Sequence, residues 1–195
     1  MYTGIIQTTQ KAKKFEHVPK ALRAWFAIPN NWDLAEGESI NLDGACATVE
    51  NIKGTDFSVY WMDETLKKTT FSNIQDDHVF NIERCLTLND LIGGHLIQGH
   101  VDTTANVSSI EEVEDSRVIT FSLPKEFTKY LIYKGSVGIN GVSLTVVTVS
   151  SDTFSVSLIP YTLQHTNLGS LKVGDSVNIE IDMIAKYLEK LANTK

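Results

Sequence analysis

The sequence predicts an all-β protein built as two tandem antiparallel barrels of about six strands each, followed by a short helix. Three observations predict it. Short apolar-alternating segments recur along the chain, separated by turn residues. A 97-residue shift lays residues 39–83 on residues 136–180 without a gap and gives thirteen identities in forty-five positions. Two copies imply two similar domains, since a solenoid needs at least three repeats. The last segment, Ile184 to Leu191, changes to helical spacing, with Ile184, Tyr187, Leu188 and Leu191 on one face. A closed barrel also leaves no strand edge exposed.

The elements follow in order. Thr3 to Thr8 is short and β-branched and reads as an opening strand. Lys11 to Lys14 is a basic cluster that reads as a solvated face. Ala21 to Pro29 is apolar and ends at proline, and Asn30 to Gly37 is turn-rich with room for a short helix. Ser39 to Val49 carries Asp43-Gly44 at its middle, a tight-turn pair between alternating apolar residues. Phe57 to Met62 and Val79 to Glu83 read as strands, and Asp63 to Lys68 as one helical turn. The join lies near Leu86 to Ile92. This gives domains at 1–88 and 89–183 and a tail helix at 184–195. That helix suits packing on its own barrel and suits assembly equally.

Composition narrows the function. Of the 195 residues, 42% are hydrophobic and 21% charged, and the formal net charge is -7. An acidic chain without a basic-aromatic groove pattern is not expected to track nucleic-acid phosphates. No apolar run approaches the ~20 residues of a membrane span, and the first residues lack a signal-peptide pattern. Two cysteines, Cys46 and Cys85, lack metal spacing and are too few for a disulfide framework, which fits a reduced, cytoplasmic setting. No metal site is expected.

The candidate chemistry gathers in Gly93 to Asp102 (GGHLIQGHVD) and in the two repeat copies Ser39–Val49 and Ser136–Val146. His100 is the general-base candidate, because imidazole titrates near neutrality, and Gly99 beside it lets backbone approach a ligand. From spacing alone, a hydrogen-bonded structural histidine is the favoured reading of this position. His95 reads as a brace for the Gly93-Gly94 turn. Cys46, a nucleophile or a small buried hydrophobe, falls on Ser143 of the second copy, and Ala47 falls on Leu144. Similar walls with different reactive groups suit two similar ligands in unequal roles. The hydroxyls of Ser39, Thr48, Ser143 and Thr145 recur at one offset, and Lys134 stands at the mouth of the second copy. From the residues alone, this is a duplicated barrel protein with a small-molecule site.

MYTGI at the start, SINLDGACATV around Cys46, GGHLIQGHVD, YKGSVGINGVSLTV and LIPYTLQHTNLG together resemble riboflavin synthase of the alpha-chain type, over nearly the whole chain. The resemblance implies two tandem six-stranded antiparallel Greek-key β-barrels with a short C-terminal α-helix, assembled as a homotrimer through that helix. It implies a dismutation of two 6,7-dimethyl-8-ribityllumazine molecules by four-carbon transfer, giving riboflavin and 5-amino-6-ribitylamino-2,4-pyrimidinedione. No cofactor is implied. Lumazine synthase is implied as a further partner, and the active site is implied to lie between the N-terminal barrel of one subunit and the C-terminal barrel of a neighbour.

Carried over residue by residue, the first-barrel pocket is Gly4-Ile5-Ile6, Cys46-Ala47-Thr48 and Tyr60-Trp61-Met62-Asp63-Glu64-Thr65. The second is Gly99-His100-Val101, Lys134, Ser143-Leu144-Thr145 and Ser157-Leu158-Ile159-Pro160-Tyr161-Thr162. His100 is expected as acid/base, Ser143 and Thr145 as its hydrogen-bonding partners, and Cys46 and Ser39 as activating groups in the first barrel. The sequence departs from the family pattern at Tyr2 (Phe is usual), Asp43 (Asn) and Ala47 (Leu). It also lacks the usual glycine in Gln7-Thr8-Thr9. The rival reading within the same superfamily is a lumazine- or flavin-binding fluorescent antenna protein that performs no turnover. The intact GGHLIQGHVD and GVSLTV favour the enzyme.

Overall fold

The computed structural model describes residues 1–193. The first repeat holds β1 (Thr8–Lys11), β2 (Lys14–Val18), β3 (Ala21–Ala27), β4 (Ser39–Leu42), β5 (Ala45–Lys53), β6 (Asp56–Met62) and β7 (Val79–Arg84). The second holds β8 (Thr103–Val113), β9 (Ser116–Ser122), β10 (Ser136–Ile139), β11 (Val142–Val149), β12 (Thr153–Leu158) and β13 (Ser176–Ile181). All pairings are antiparallel. The second repeat closes in the order β10-β11-β12-β9-β8-β13. The first follows the same order with its opening strand broken at Ala12–Lys13. Its halves, β1 and β2, pair with β7 and β3 as the single β8 pairs with β13 and β9. Short helices α1 (Asp63–Lys68), α2 (Lys125–Thr128) and α3 (Pro160–His165) bridge strands, and α4 (Met183–Ala192) ends the described chain.

Each barrel has its own apolar core. A stacked phenylalanine pair recurs in both, Phe26–Phe57 at 5.4 Å and Phe121–Phe154 at 5.3 Å. The first barrel fills the rest with Trp61, Phe71 and Phe80, where the second places Leu158, Leu168 and Val177. The tight turns are those the Asp-Gly and Asn-Gly pairs demand, with φ of 47° and 84° at Asp43-Gly44 and 45° and 78° at Asn140-Gly141. The turns abut: a Cβ on Gly44 would lie 2.9 Å from the Gly141 nitrogen.

A reciprocal polar network ties the barrels across these turns. Asn81 donates to the Asn140 carbonyl at 2.9 Å, and its repeat partner Asn178 donates to the Asp43 carbonyl at 2.8 Å. Asn81 Oδ1 accepts from Asn167 N, and Asn178 Oδ1 accepts from Thr70 N. Asp43 is fully buried. It accepts from Asn81 N and Asn167 Nδ2 and meets His78 Nε2 at 2.5 Å.

Two expected elements differ. The Thr3–Thr8 segment becomes strand only from Thr8, because the Thr3 and Gly4 N–H groups are taken by the buried Glu83 carboxylate and not by a ladder. Asn30–Gly37 forms no helix. Its polar groups bond to β5 instead, Gly37 N to the Val49 carbonyl and Ile52 N to the Glu36 carboxylate. On α4 the N-cap Asp182 accepts from Ile184 N, and Lys186 pairs with Asp102. Glu189 bonds Lys129 and Tyr130 of the second barrel. Only the small Ala185 reaches that barrel's core. Ile184, Tyr187, Leu188 and Leu191 stay 61–71% exposed (62, 63, 61 and 71%).

Candidate active site

Alternation along β5 sends Ala45, Ala47 and Val49 into the barrel and leaves Cys46 and Thr48 facing outward. Ser143 and Thr145 hold the corresponding positions on β11, and Ser39 and Ser136 pair in register with Thr48 and Thr145. A cavity of about 290 Å³ opens beside Cys46. Its lining includes Ala45, Glu64, Thr65 and Thr69, and, from the second repeat, Gly99, His100 and Val101.

Two of the carried-over segments pack across the repeats. Gly99–Val101 lines the cavity beside Cys46: the Gly99 carbonyl accepts from Cys46 N at 2.8 Å, and Val101 packs on the first core. Gly4–Ile6 lies against the second barrel: the Gly4 carbonyl accepts from Ser143 N at 2.9 Å, and Ile6 packs on the second core. The two segments cross, and an isolated bridge between Tyr2 and Ile97 joins them at the crossing. A Cβ at Gly99 would lie 2.6 Å from Cys46 Cβ, so only glycine permits the contact.

The two reactive positions have different company. The Tyr2 hydroxyl donates to Cys46 Sγ at 3.1 Å. Tyr2 is fully buried, and burial, then the Cys46 contact, push its hydroxyl far above its ordinary value, so it remains a donor. Ser143 Oγ instead accepts from the His95 backbone N–H at 3.1 Å and lies 2.6 Å from His95 Nδ1. The imidazole and the hydroxyl are therefore hydrogen-bonded side chain to side chain, with the donor set by the His95 tautomer. Burial holds His95 below the usual imidazole range, so it is neutral near pH 7. His95 is thus a partner of Ser143 as well as a brace for the glycine turn.

Not every expected lining residue presents its side chain. Ala47, Trp61 and Leu158 are buried in the barrel cores, which leaves only their backbone to a ligand. Tyr60, Met62, Ile159 and Tyr161 are exposed, as are Glu64, Ser157, Pro160 and Lys134, with Asp63, Thr65, Leu144 and Thr162 half-buried. Lys68 and Thr69 also line the first pocket; Thr69 recurs as Thr166 in the second copy, while Lys68 carried no sequence signal beyond following Thr65. A larger cleft of about 750 Å³ runs along the seam between barrels, lined by residues including His78, Asn140 and Asn167, and holds none of the expected site residues. Among the described residues, no group of three or more His, Cys, Asp or Glu is placed to hold a metal ion, and no helix is long and apolar enough to cross a membrane.

Comparison with known proteins agrees with this architecture. The sequence model of the lumazine binding domain matches twice, at residues 3–85 and 98–182. Riboflavin synthase of Escherichia coli (strain K12) is 40% identical over 185 residues, covering 93% of this chain and 87% of the relative. That of Mycobacterium tuberculosis (strain ATCC 25618 / H37Rv) is 35% identical over 196 residues, covering 98% of each. Among solved structures, LumP complexed with riboflavin superposes with a TM-score of 0.85 at 26% identity, covering 93% of this chain and 99% of LumP. LumP complexed with 6,7-dimethyl-8-(1'-D-ribityl) lumazine gives 0.83 at the same identity and coverage. With both repeats matched and full-length relatives well above 30% identity, the chain belongs to the riboflavin synthase family of tandem lumazine-binding-domain proteins.

Proposed function

We propose that this chain catalyses the riboflavin synthase reaction: one molecule of 6,7-dimethyl-8-ribityllumazine transfers a four-carbon unit to a second, giving riboflavin from the acceptor and 5-amino-6-ribitylamino-2,4-pyrimidinedione from the donor. The observation that carries the reading is a pair of repeat-related positions with unequal chemistry, Cys46 on β5 and Ser143 on β11. Cys46 stands with the Tyr2 hydroxyl and His100, Ser143 with His95. Two identical substrates must act as donor and acceptor, and two related but unequal positions serve that need.

The residue roles follow. The lumazine C7 methyl is acidic because the ring delocalises the carbanion, so a base of imidazole strength suffices, and His100 is that base. Ser143 and Thr145 bond the substrate from β11, while Cys46 and Ser39 activate it in the first barrel. The uracil-like ring edge pairs with backbone at the strand-to-helix junctions within 60–65 and 157–162. Polar groups such as Thr48, Thr65, Lys134 and Thr162 hold the ribityl chain. Stacking the two rings supplies orientation, worth up to roughly 7–11 kcal/mol in the best cases.

The exposed apolar face of α4 supports assembly as a homotrimer, with each reaction centre formed between the 1–88 barrel of one subunit and the 89–183 barrel of the next. A cytoplasmic location and association with lumazine synthase belong to the same reading. The test is purified protein with 6,7-dimethyl-8-ribityllumazine alone, followed by absorbance. One flavin formed per two lumazines lost supports it. A stable bound lumazine spectrum without flavin would place the chain with non-catalytic antenna proteins.

A further inference from the structure

Each barrel's last strand carries an Asn-x-Glu repeat, and both glutamates are almost fully buried, Glu83 on β7 and Glu180 on β13. A buried carboxylate is costly unless its oxygens are satisfied. Glu83 accepts from Thr3 N at 2.7 Å, Thr3 Oγ1 at 2.6 Å and Gly4 N at 3.0 Å. Glu180 accepts from Gln98 N at 2.6 Å, Gly99 N at 2.9 Å and His100 N at 3.0 Å. These segments have one isolated bridge and no ladder, so the carboxylates take the place of a paired strand. The carbonyls of the same glycines face the opposite way: Gly4 holds Ser143 of the second barrel, and Gly99 holds Cys46 of the first.

We infer that Glu83 and Glu180 are crossed positioning residues, each carboxylate fixing the segment that completes the pocket of the other barrel. Glu180 sets Gly99 and His100 against Cys46, and Glu83 sets Gly4 to Ile6 against Ser143. The ligand part of this inference rests on the lumazine reading; the crossing itself rests on geometry alone.

The experiment uses the full chain with Glu180→Gln and Glu83→Gln, which keep shape but replace one acceptor oxygen by a donor. Backbone hydrogen exchange is measured residue by residue without ligand. Glu180→Gln accelerates exchange at Cys46, across the seam, and leaves Ser143 unchanged; Glu83→Gln does the reverse. In a Cys85→Ser background, protection of Cys46 from iodoacetamide by 6,7-dimethyl-8-ribityllumazine reports occupancy of the first pocket. Glu180→Gln raises the half-protecting concentration about tenfold and Glu83→Gln by less than about twofold, since losing a buried hydrogen-bond acceptor of this kind costs roughly a factor of ten. Glu180→Asp, which keeps the charge, restores part of the protection and serves in place of Glu180→Gln should that variant not fold. Exchange that accelerates only in the mutated residue's own barrel, or equally at Cys46 and Ser143, overturns the crossing. Crossed exchange with no lumazine protection in the Cys85→Ser parent keeps the crossing and removes the lumazine reading instead.

Discussion

His78→Ala removes the one titratable group that faces Asp43 at the seam. Asp43 is fully buried, while the His78 side chain is 30% exposed. Burial is the largest influence on each. It pushes the Asp43 carboxyl up, and it pulls His78 down, but the hydrogen bond and charge of Asp43 outweigh it and hold His78 above its ordinary value. Asp77 adds to the same side. Removing one partner leaves a buried carboxylate with only Asn81 N and Asn167 Nδ2, a loss of about 3 kcal/mol. For a chain of this size that lowers the melting temperature by roughly 6–12 °C. The pH sign follows from both groups. A raised imidazole stabilises fully below its unfolded value of about 6.5 and loses that contribution as pH rises through its folded value. A raised carboxyl also makes the folded state less stable as pH rises above about 4. Wild-type stability therefore falls with rising pH. Asp43→Asn, which copies Asn140 of the other repeat, flattens that fall. Thermal unfolding by circular dichroism at about pH 5.5 and about pH 8.5 decides. Parallel pH dependences for wild type and Asp43→Asn would refute the reasoning.

Other outcomes follow from the same structure. His100→Ala lowers kcat by about 10²–10⁴-fold in steady-state flavin formation if it serves as the base, with unfolding unchanged. Tyr2→Phe keeps the buried ring and removes the donor to Cys46 Sγ, which slows iodoacetamide reaction at Cys46 several-fold, by about 1 kcal/mol, at fixed pH. Leu188→Glu places a charge on the exposed apolar face of α4; on the proposed assembly through that face, analytical ultracentrifugation finds monomer in place of the parent's homotrimer, with flavin formation lost alongside. Phe80→Ala empties the centre of the first core, where Phe26, Trp61 and Phe71 meet it, and costs about 3–5 kcal/mol in urea unfolding.

The duplication was legible because buried positions such as Gly44 and the Asn81–Glu83 run survive in both copies, along with the outward Ser39 and Thr48 beside the reactive positions. The hairpin at Asp43-Gly44, the α1 helix and the α4 helix follow from local rules and stand where those rules put them. The crossing of Gly4–Ile6 and Gly99–Val101 was not legible. It depends on contacts between residues more than 50 apart, and the segments correspond at a shift of 95, two residues off the 97 that relates the strands. Period-two alternation does say that Ala47 and Trp61 point inward, a signal that a motif carried over as a block conceals. The pairing of His95 with Ser143 joins residues 48 apart and needed coordinates. The glutamate repeated after Asn-Ile in both last strands was the sequence sign that Glu83 and Glu180 have partners, because an unpaired buried carboxylate would be too costly to keep.

The most direct test of the central claim is the stoichiometry of turnover. Purified protein is mixed with 6,7-dimethyl-8-ribityllumazine as the sole reactant, and lumazine loss and flavin gain are followed together by absorbance. The account predicts one riboflavin for every two lumazines consumed. A lumazine that binds and persists unchanged, or a flavin yield that departs from one in two, would contradict it.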